Sequence, residues 1–182
     1  MAEALLISKT DIAKYTPLDG NIDYDKLLPH IKTAQDIWIQ KHTGTDLLNK
    51  IKSDILANTL SGNYLSLTTT YLKPMLVFYA MVEFLPFASF QIGNQGVFQK
   101  EVESSQVASL EDIMSLTEKF KVKAQHYTQR FEDYMNFNGS LFPEYTSNSN
   151  GDIHPQHGNY NSNWYLGSVS YTHLTLPTIL LV

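Results

Sequence analysis

Hydrophobic positions recur at helical spacing over most of the first 138 residues. Apolar residues three and four apart lie on one face of a helix, so the pattern predicts a series of helices. They are a short helix from Ser8 to Lys14, one from about Asp23 to Thr43, one from Thr45 that fades before Ser61, and one over Leu67–Leu85. The "SKTD" sequence at Ser8 resembles a capping box, and Gly44 is expected to end the second helix.

The helix predicted over Leu67–Leu85 is apolar on nearly every face. A helix of this kind is normally the buried centre of a bundle, and we expect Pro86 to end or kink it. Residues 91–107 follow, with two glycines and partly alternating character, which predicts an extended loop or a β-hairpin arm.

The strongest local pattern predicts a long helix from the "SLED" capping box at Ser109 to about Asn138. Its apolar seam is Leu110, Ile113, Thr117, Phe120, Ala124, Tyr127, Phe131 and Tyr134. Spacings that alternate between three and four form a heptad seam, here on a rod roughly 40 Å long. Such a seam packs either across its own bundle or against a neighbouring subunit. The candidate interface residues from this helix are Phe120, Tyr127, Phe131 and Tyr134.

After Asn138 the sequence becomes turn-rich, nearly uncharged and without periodicity. This composition predicts a flexible C-terminal arm over residues 139–168. Its aromatic side chains Phe142, Tyr145, Trp164 and Tyr165 complete the set of candidate interface residues. The alternative is a tail that lies back on its own domain.

The predicted fold class is therefore all-α. It comprises a helical domain over residues 1–138 with a buried central helix, a long heptad-patterned helix, a loop or hairpin arm near 91–107, and a flexible tail.

Composition favours a protein that reserves surface for partners. Charged residues make up 17% of the chain and aromatic residues 12%, against a usual charged fraction of about 25%. Tyr and Phe supply contact area at interfaces, although a Tyr-rich core is the alternative. The net charge is −5, and neither a basic run nor a Lys/Arg stripe is visible, so sequence-specific nucleic-acid binding is not expected.

Targeting and redox signals are absent from the sequence. The N-terminus lacks the basic region of a signal peptide, and the apolar run Pro74–Phe90 contains Glu83 and is too short to span a bilayer. We therefore expect a soluble protein with no membrane contact. With no Cys in the chain, disulfides and thiolate metal sites are excluded.

No motif for catalysis or cofactor binding is found. The six His are scattered, and the pair His154 and His157 has only Asp152 nearby, which is too few fixed ligands for a metal site. Phosphate-binding glycine loops and hydrolase motifs are missing as well. Glu83 is expected to be buried with Lys73 or a Tyr hydroxyl as a structural partner. The sequence therefore predicts neither an enzyme nor a cofactor.

The helical part of the chain resembles the head–tail connector (adaptor) proteins of tailed bacteriophages. The resemblance rests on "LLPHIKTAQDIWIQKHTGTDLL", in which Leu27, Leu28, Ile31, Ala34 and Ile37 precede the Thr43-Gly44 step, and on the apolar helix "YLKPMLVFYAMVEFLPF" that follows. It covers roughly Leu6 to Asn138. The version with "PHIKTAQD" is similar to an uncharacterised phage and prophage family of Bacteroidota.

This resemblance implies a non-enzymatic virion protein at the head–tail interface, present in the host cytoplasm during assembly. It implies a homo-oligomeric ring of about a dozen copies that binds the portal protein and a tail-completion (stopper) protein. An arm that docks on the portal would suit the aromatic residues after Asn138.

The last fourteen residues resemble a translated DNA adaptor rather than a natural protein sequence. Val169–Thr178 reads VSYTHLTLPT, the translation of the sequencing-library transposase adaptor GTCTCTTATACACATCTGACGCTGCCGACG. We therefore expect Val169–Val182 to be a translated artefact, with the natural chain interrupted near Gly167.

Two other functions remain open. One is a bacterial interaction module that dimerises through the long helix. The other is a small-ligand binder around Glu83, His126 and the buried Tyr residues.

Overall fold

The computed structural model describes residues 4–17, 24–88, 90–93, 96–99, 109–149 and 151–156. Within these ranges the chain forms a helical bundle with one small hairpin, which confirms the predicted all-α class. The helices are α1 Lys9–Tyr15, α2 Tyr24–Ala34, α3 Gln40–Thr43, α4 Thr45–Leu56, α5 Gly62–Leu67, α6 Lys73–Ala88, α7 Leu110–Asn138 and α8 Pro143–Ser147. The strands are β1 Phe90–Gly93 and β2 Gly96–Gln99.

Two π-helical turns each join two shorter α-helices into one continuous helix. Gln35–Ile39 joins α2 to α3, and Thr68–Leu72 joins α5 to α6. In the first turn the Gln35 side chain is fully buried. Its Oε1 accepts from the Leu6 N–H at 3.0 Å, and its Nε2 donates to the Ala4 carbonyl at 3.2 Å. This amide therefore holds the N-terminal segment against the bundle.

The predicted helix ends at Ser8 and Gly44 are confirmed. Ser8 and Asp11 form a capping box at the start of α1, and Asp11 also binds Lys73 Nζ at 2.9 Å. Gly44 lies between α3 and α4 at a φ of 75° and a ψ of 165°, a region open essentially to glycine alone.

The predicted buried central helix is α6. Every residue from Pro74 to Met81 is buried, with α2 and α7 packed against it. Tyr71 in the turn before α6 stacks on Tyr134, and Phe78 stacks on Tyr127. From the first stacked pair to the second, the residue number rises on the α6 side and falls on the α7 side, so the two helices run antiparallel.

The boundaries of this central helix differ from the prediction. The helix begins at Gly62 rather than Leu67, because the π turn carries it through the Thr-rich stretch. Pro86 does not end the helix, which continues to Ala88. Pro86 cannot donate a backbone hydrogen bond to the Val82 carbonyl, and the helix extends only two residues beyond it.

The hairpin alternative is confirmed for the segment after α6. Strands β1 and β2 pair antiparallel, with Ile92 opposite Val97. The hairpin lies at residues 90–99, and residues 100–108 lie outside the described ranges.

The chain after Asn138 lies back on the bundle in its described part. A 3-10 turn, Gly139–Leu141, leads into α8, and Phe142 is fully buried beside the 5% exposed Tyr145. The predicted domain boundary at Asn138 is thus corrected for residues 139–149 and 151–156, because their aromatic side chains complete the core. The rest of the predicted arm, residues 157–168, and Val169–Val182 lie outside the described residues.

Candidate interaction surfaces

The inner face of α7 packs on α6. The buried residues of α7 are Phe120, Ala124, Thr128, Phe131, Glu132 and Met135. Phe120, Ala124 and Phe131 belong to the predicted seam, whereas Thr128, Glu132 and Met135 lie beside it. The partner of this packing face is the central helix of the same chain.

The four candidate interface residues of the seam are therefore contacts within the bundle. Phe120 is 5% exposed and Phe131 is fully buried. Tyr127 and Tyr134 are half-buried, with ring centroids 5.4 Å from Phe78 and 4.4 Å from Tyr71. The expectation that these side chains face a partner is corrected, because α6 and the preceding π turn already cover them.

The two described aromatic residues of the predicted arm also lie in the core. The Phe142 ring meets Tyr64 edge-on at 5.2 Å, and Tyr145 meets Phe131 edge-on at 6.3 Å. Burial, assisted by the charge of Glu132, raises the pKa of Tyr145 to about 12, so its hydroxyl stays neutral. Trp164 and Tyr165 lie outside the described residues.

Both ends of α7 expose large apolar side chains. Near the start, Leu110 is 66% exposed and Met114 is 64% exposed, and near the end Phe137 is 88% exposed. Leu110 lies ten residues before Phe120 on approximately the same side of the helix, so this side extends roughly 15 Å beyond the core. The described part of α7 therefore offers apolar contact area at both ends.

A buried contact between His42 and Glu132 links α3 to α7. His42 Nδ1 lies 3.0 Å from Glu132 Oε1, with side chains 12% and 9% exposed. The contact is short but poorly aligned, so Nδ1 has no satisfied hydrogen bond. Burial lowers the pKa of His42 below its ordinary 6.5 despite the attraction of Glu132, with Lys41 acting in the same direction as burial.

The segment after α8 docks at the corner between α3 and α4. We name residues 148–149 and 151–156 the clasp. The backbone N–H of Thr45 donates to the Ile153 carbonyl at 3.0 Å, and the N–H of Gln156 donates to the Lys41 carbonyl at 2.9 Å. The Asp46 N–H donates to Asn148 Oδ1 at 3.3 Å. The clasp thus supplies acceptors for two of the N–H groups that the first turn of α4 leaves unpaired.

Side chains reinforce this contact. Asp152 Oδ2 accepts from Thr45 Oγ1 at 3.0 Å and from Gln40 Nε2 at 3.2 Å. At Gly44, a Cβ atom would lie 2.7 Å from Pro155 Cδ. Glycine is therefore needed at this corner for both its backbone conformation and the close approach of Pro155.

Neither the His42–Glu132 contact nor the clasp was predicted from the sequence. The partners are far apart along the chain, and Asp46 and Asn148 are separated by 102 positions. Local periodicity carries no information on contacts of that range. The one available signal for the clasp was the pair of polar residues Asn148 and Asp152, in a segment whose composition is otherwise typical of turns.

Glu83 has a structural partner, as expected, but a different one. Its Oε1 accepts from Trp38 Nε1 at 3.0 Å, and the Trp38 ring stacks on Tyr79 at 4.5 Å. Lys73 pairs with Asp11 instead. Tyr79 bonds to Thr128 at 3.1 Å, and burial raises its pKa.

A groove of about 250 Å³ lies elsewhere, between the N-terminal segment and α4, α5 and the second π turn. Leu5, Ile55, Leu60 and Leu65 line it, with Lys73 and Asp11 among its polar residues. Glu83 does not line this groove.

Metal-ligating groups do not gather in the described residues, where no set of three His, Cys, Asp or Glu is close enough to hold an ion. His154 Nδ1 lies 3.0 Å from Asn148 Nδ2, within the clasp. His157 lies outside the described ranges.

The comparison with protein families gives one match. The family described as "Family of unknown function (DUF6712)" matches residues 39–155, more than half of the chain. The chain belongs to DUF6712. No curated protein and no solved structure matches it.

The two ends of the DUF6712 match meet in space. It begins at Ile39, at the end of the first π turn, and it ends at Pro155, against Gly44. The clasp therefore brings the C-terminal end of the matched region against the corner between α3 and α4, near the start of that region.

In this DUF6712 chain one helical stretch of the described part, Gly62–Ala88, is long and apolar enough to cross a membrane. The stretch is longer than the sequence predicted, because α5 and α6 are continuous. Within the chain 56% of its most apolar window is buried, and a core helix meets the same criteria of length and composition.

Proposed function

We propose that this chain is a structural, non-enzymatic protein that assembles into a ring, as a head–tail adaptor between portal and tail in a phage virion. The sequence resemblance supports this proposal, with its "LLPHIKTAQD" helix and Thr43-Gly44 step. The proposed partners are the portal protein, the tail-completion (stopper) protein and further copies of the chain.

The observation that carries the proposal is the exposure of apolar side chains at the two ends of α7. Leu110 and Met114 lie at one end, and Phe137 at the other. A separation of 23 to 27 residues along a helix corresponds to roughly 35–40 Å.

Two different patches at opposite ends favour a ring over a dimer. In a two-fold dimer residue i contacts residue j while j contacts i, so a single face of α7 would have to carry both patches. Leu110 and Phe137 are 27 residues apart and lie roughly 180° apart around the helix. A head-to-tail contact joins two such different faces and forms a ring when its rotation closes. The rival dimerising module would leave one of the two patches without a role.

Sedimentation velocity and negative-stain electron microscopy of the purified chain test the assembly. We expect closed rings of uniform diameter that become smaller species in Leu110→Ser and Phe137→Ser. The matched control is Leu56→Ser, which removes a 55% exposed leucine outside α7 and should leave the rings intact. A wild-type chain that forms only dimers would favour the rival module.

The adaptor role itself is tested by long-read sequencing of the source DNA and by capture of the portal protein encoded beside this gene. We expect portal and capsid genes next to it and retention of the portal by the assembled ring. A position among metabolic genes would contradict the phage assignment.

A further inference from the structure

The outer face of α7 carries a line of cations. Lys119, Lys123 and Arg130 are exposed and separated by four and seven residues, so they lie on one side of the helix. His126 lies between them, and no acidic residue occurs from Lys119 to Arg130. The line extends over roughly 16 Å. The expectation of no Lys/Arg stripe was therefore wrong for this helix, because its cations are separated along the sequence and come together only at helical spacing.

Aromatic rings, not carboxylates, hold two of these cations. Lys123 Nζ lies 5.3 Å from the centroid of the Phe120 ring, and the Arg130 guanidinium lies 5.5 Å from that of Tyr127. Within the described residues none of the three cations forms an ion pair. Contact with a ring orders the side chain but does not cancel its charge, so among the described residues this face presents ordered positive charge that no ion pair compensates.

The first half of α7 exposes the opposite charge on another side. Glu111 and Glu118 are exposed next to Leu110 and Met114. The described ion pair of Glu118, to Lys121 at 3.5 Å, is within the helix and solvent-exposed, so it is weak and easily exchanged. At 100° per residue, this acidic and apolar side faces roughly away from the basic line.

We propose that the basic face of α7 is the docking site for the first half of α7 from a second copy of this chain. Glu111 and Glu118 of one copy lie against Lys119, Lys123 and Arg130 of the next. This inference rests on the proposed ring and names the surfaces that form it.

The geometry of α7 supports this arrangement. Glu111 and Glu118 are seven residues apart, as are Lys123 and Arg130, so the two pairs of opposite charges match in spacing along two aligned helices. Phe137 continues the basic line seven residues after Arg130. Because the two surfaces lie on different sides of one helix, each copy contacts two neighbours through different faces, as a ring requires. Complementary charge fixes the orientation of the contact.

A second copy fits this face better than a nucleic acid does. The chain has a net charge of −5, which repels a polyanion at long range. Three cations neutralise few phosphates, and affinity for nucleic acids grows with that number.

Charge reversal tests the contact. The basic face is reversed in K123E/R130E, and the acidic side in E111K/E118K. We expect each variant alone to lose about tenfold or more in association constant by sedimentation velocity. An equimolar mixture of the two should assemble again, because every contact in an alternating ring then joins opposite charges. The quadruple variant should also assemble.

The matched control is K9E/K14E, which changes net charge equally at two exposed residues of α1 and should assemble like the wild type. Circular dichroism melts verify folding. Lys119→Glu is a further variant, since that side chain contacts no ring in the described part of the chain.

The outcomes separate this inference from the proposed function. Rings that form in the wild type and in both reversal variants would overturn the inference and leave the ring standing. A wild type that stays monomeric at all concentrations would overturn both. Duplex DNA binding that K123E/R130E abolishes and the mixture does not restore would assign the face to nucleic acid instead.

Discussion

Gly44 carries more constraint than any other described glycine. Its positive φ and the 2.7 Å approach of Pro155 leave no place for a Cβ atom. We expect Gly44→Ala to lower the free energy of unfolding by about 2–6 kcal/mol, from backbone strain of about 1–3 and overpacking of about 1–3. Urea unfolding measures this change.

Gly62 provides the matched control. Its φ is also positive, at 58°, but no atom lies within 4 Å of the position of a Cβ. Gly62→Ala should cost only about 1–2 kcal/mol. Equal costs at the two positions would mean that the clasp contributes nothing at Gly44.

His42 makes stability depend on pH. Because its pKa is lowered in the folded chain, the unfolded chain binds more protons at pH values between the two pKa values. Its contribution to stability is complete above about pH 6.5 and is lost as the pH falls towards the lower, folded-state pKa. Unfolding by urea between pH 7.5 and pH 5.5 should therefore show a decrease that His42→Gln reduces.

The control for this effect is His126→Gln on the exposed outer face of α7, which should retain the full wild-type decrease. An identical pH dependence in wild type and His42→Gln would show that the His42–Glu132 contact is not linked to folding. The groups that face His42 are Glu132, Lys41 and the backbone of Gln156.

At the residue scale the sequence predicted what depends on neighbours in the chain. The capping boxes at Ser8 and Ser109 and the helix end at Gly44 involve residues within a few positions. The partners of Gln35, His42 and Glu83 could not be predicted, since each depends on how distant helices meet.

At the scale of elements, we expect the buried residues of α7 to determine stability and its exposed residues to determine association. Phe131 is fully buried and Phe137 is 88% exposed on the same helix. We expect Phe131→Ala to cost about 3–5 kcal/mol and Phe137→Ala to change stability by less than about 0.5 kcal/mol. Thermal and urea unfolding give both values.

The same two variants should differ in the opposite sense in association. Phe137→Ala should weaken self-association in sedimentation velocity, whereas folded Phe131→Ala should associate as the wild type does. If Phe137→Ala assembled normally, the end of α7 would have no part in the contact.

The heptad pattern of α7 predicted its length and its packing face. It could not specify the partner, because an apolar seam packs equally well on a helix of its own chain or on a neighbour. The α6 helix supplies that partner here, so the exposed apolar residues beyond it are the ones left for other chains. Similarly, the π turns were not predicted, since one extra residue per turn leaves no clear periodic signal.

At the scale of the whole molecule, the chain after Asn138 completes the core. A chain that ends at Gln156 keeps Phe142, Tyr145 and the clasp, and one that ends at Asn138 loses them all. We expect the shorter chain to be less stable by at least about 3 kcal/mol, because a buried aromatic side chain contributes that much. Comparison of the two by urea unfolding isolates residues 139–156. Equal stabilities would mean that these residues add nothing to the bundle.

Sequencing across the reading frame tests the interpretation of Val169–Val182. We expect the natural frame to continue past Ser168 without the adaptor. A genomic sequence that itself encodes VSYTHLTLPT would contradict it.

The sequence alone determined the helical class, the central apolar helix, the capping residues and the long final helix, because periodicity and capping act over a few residues. It left a loop and a hairpin open after α6. Only the tertiary structure decided which aromatic residues belong to the core, where the chain after α8 docks and which sides of α7 stay exposed. Those properties arise where residues such as Gly44 and Pro155, far apart in the chain, come into contact. Their contacts are fixed by how the helices pack, which no local pattern records.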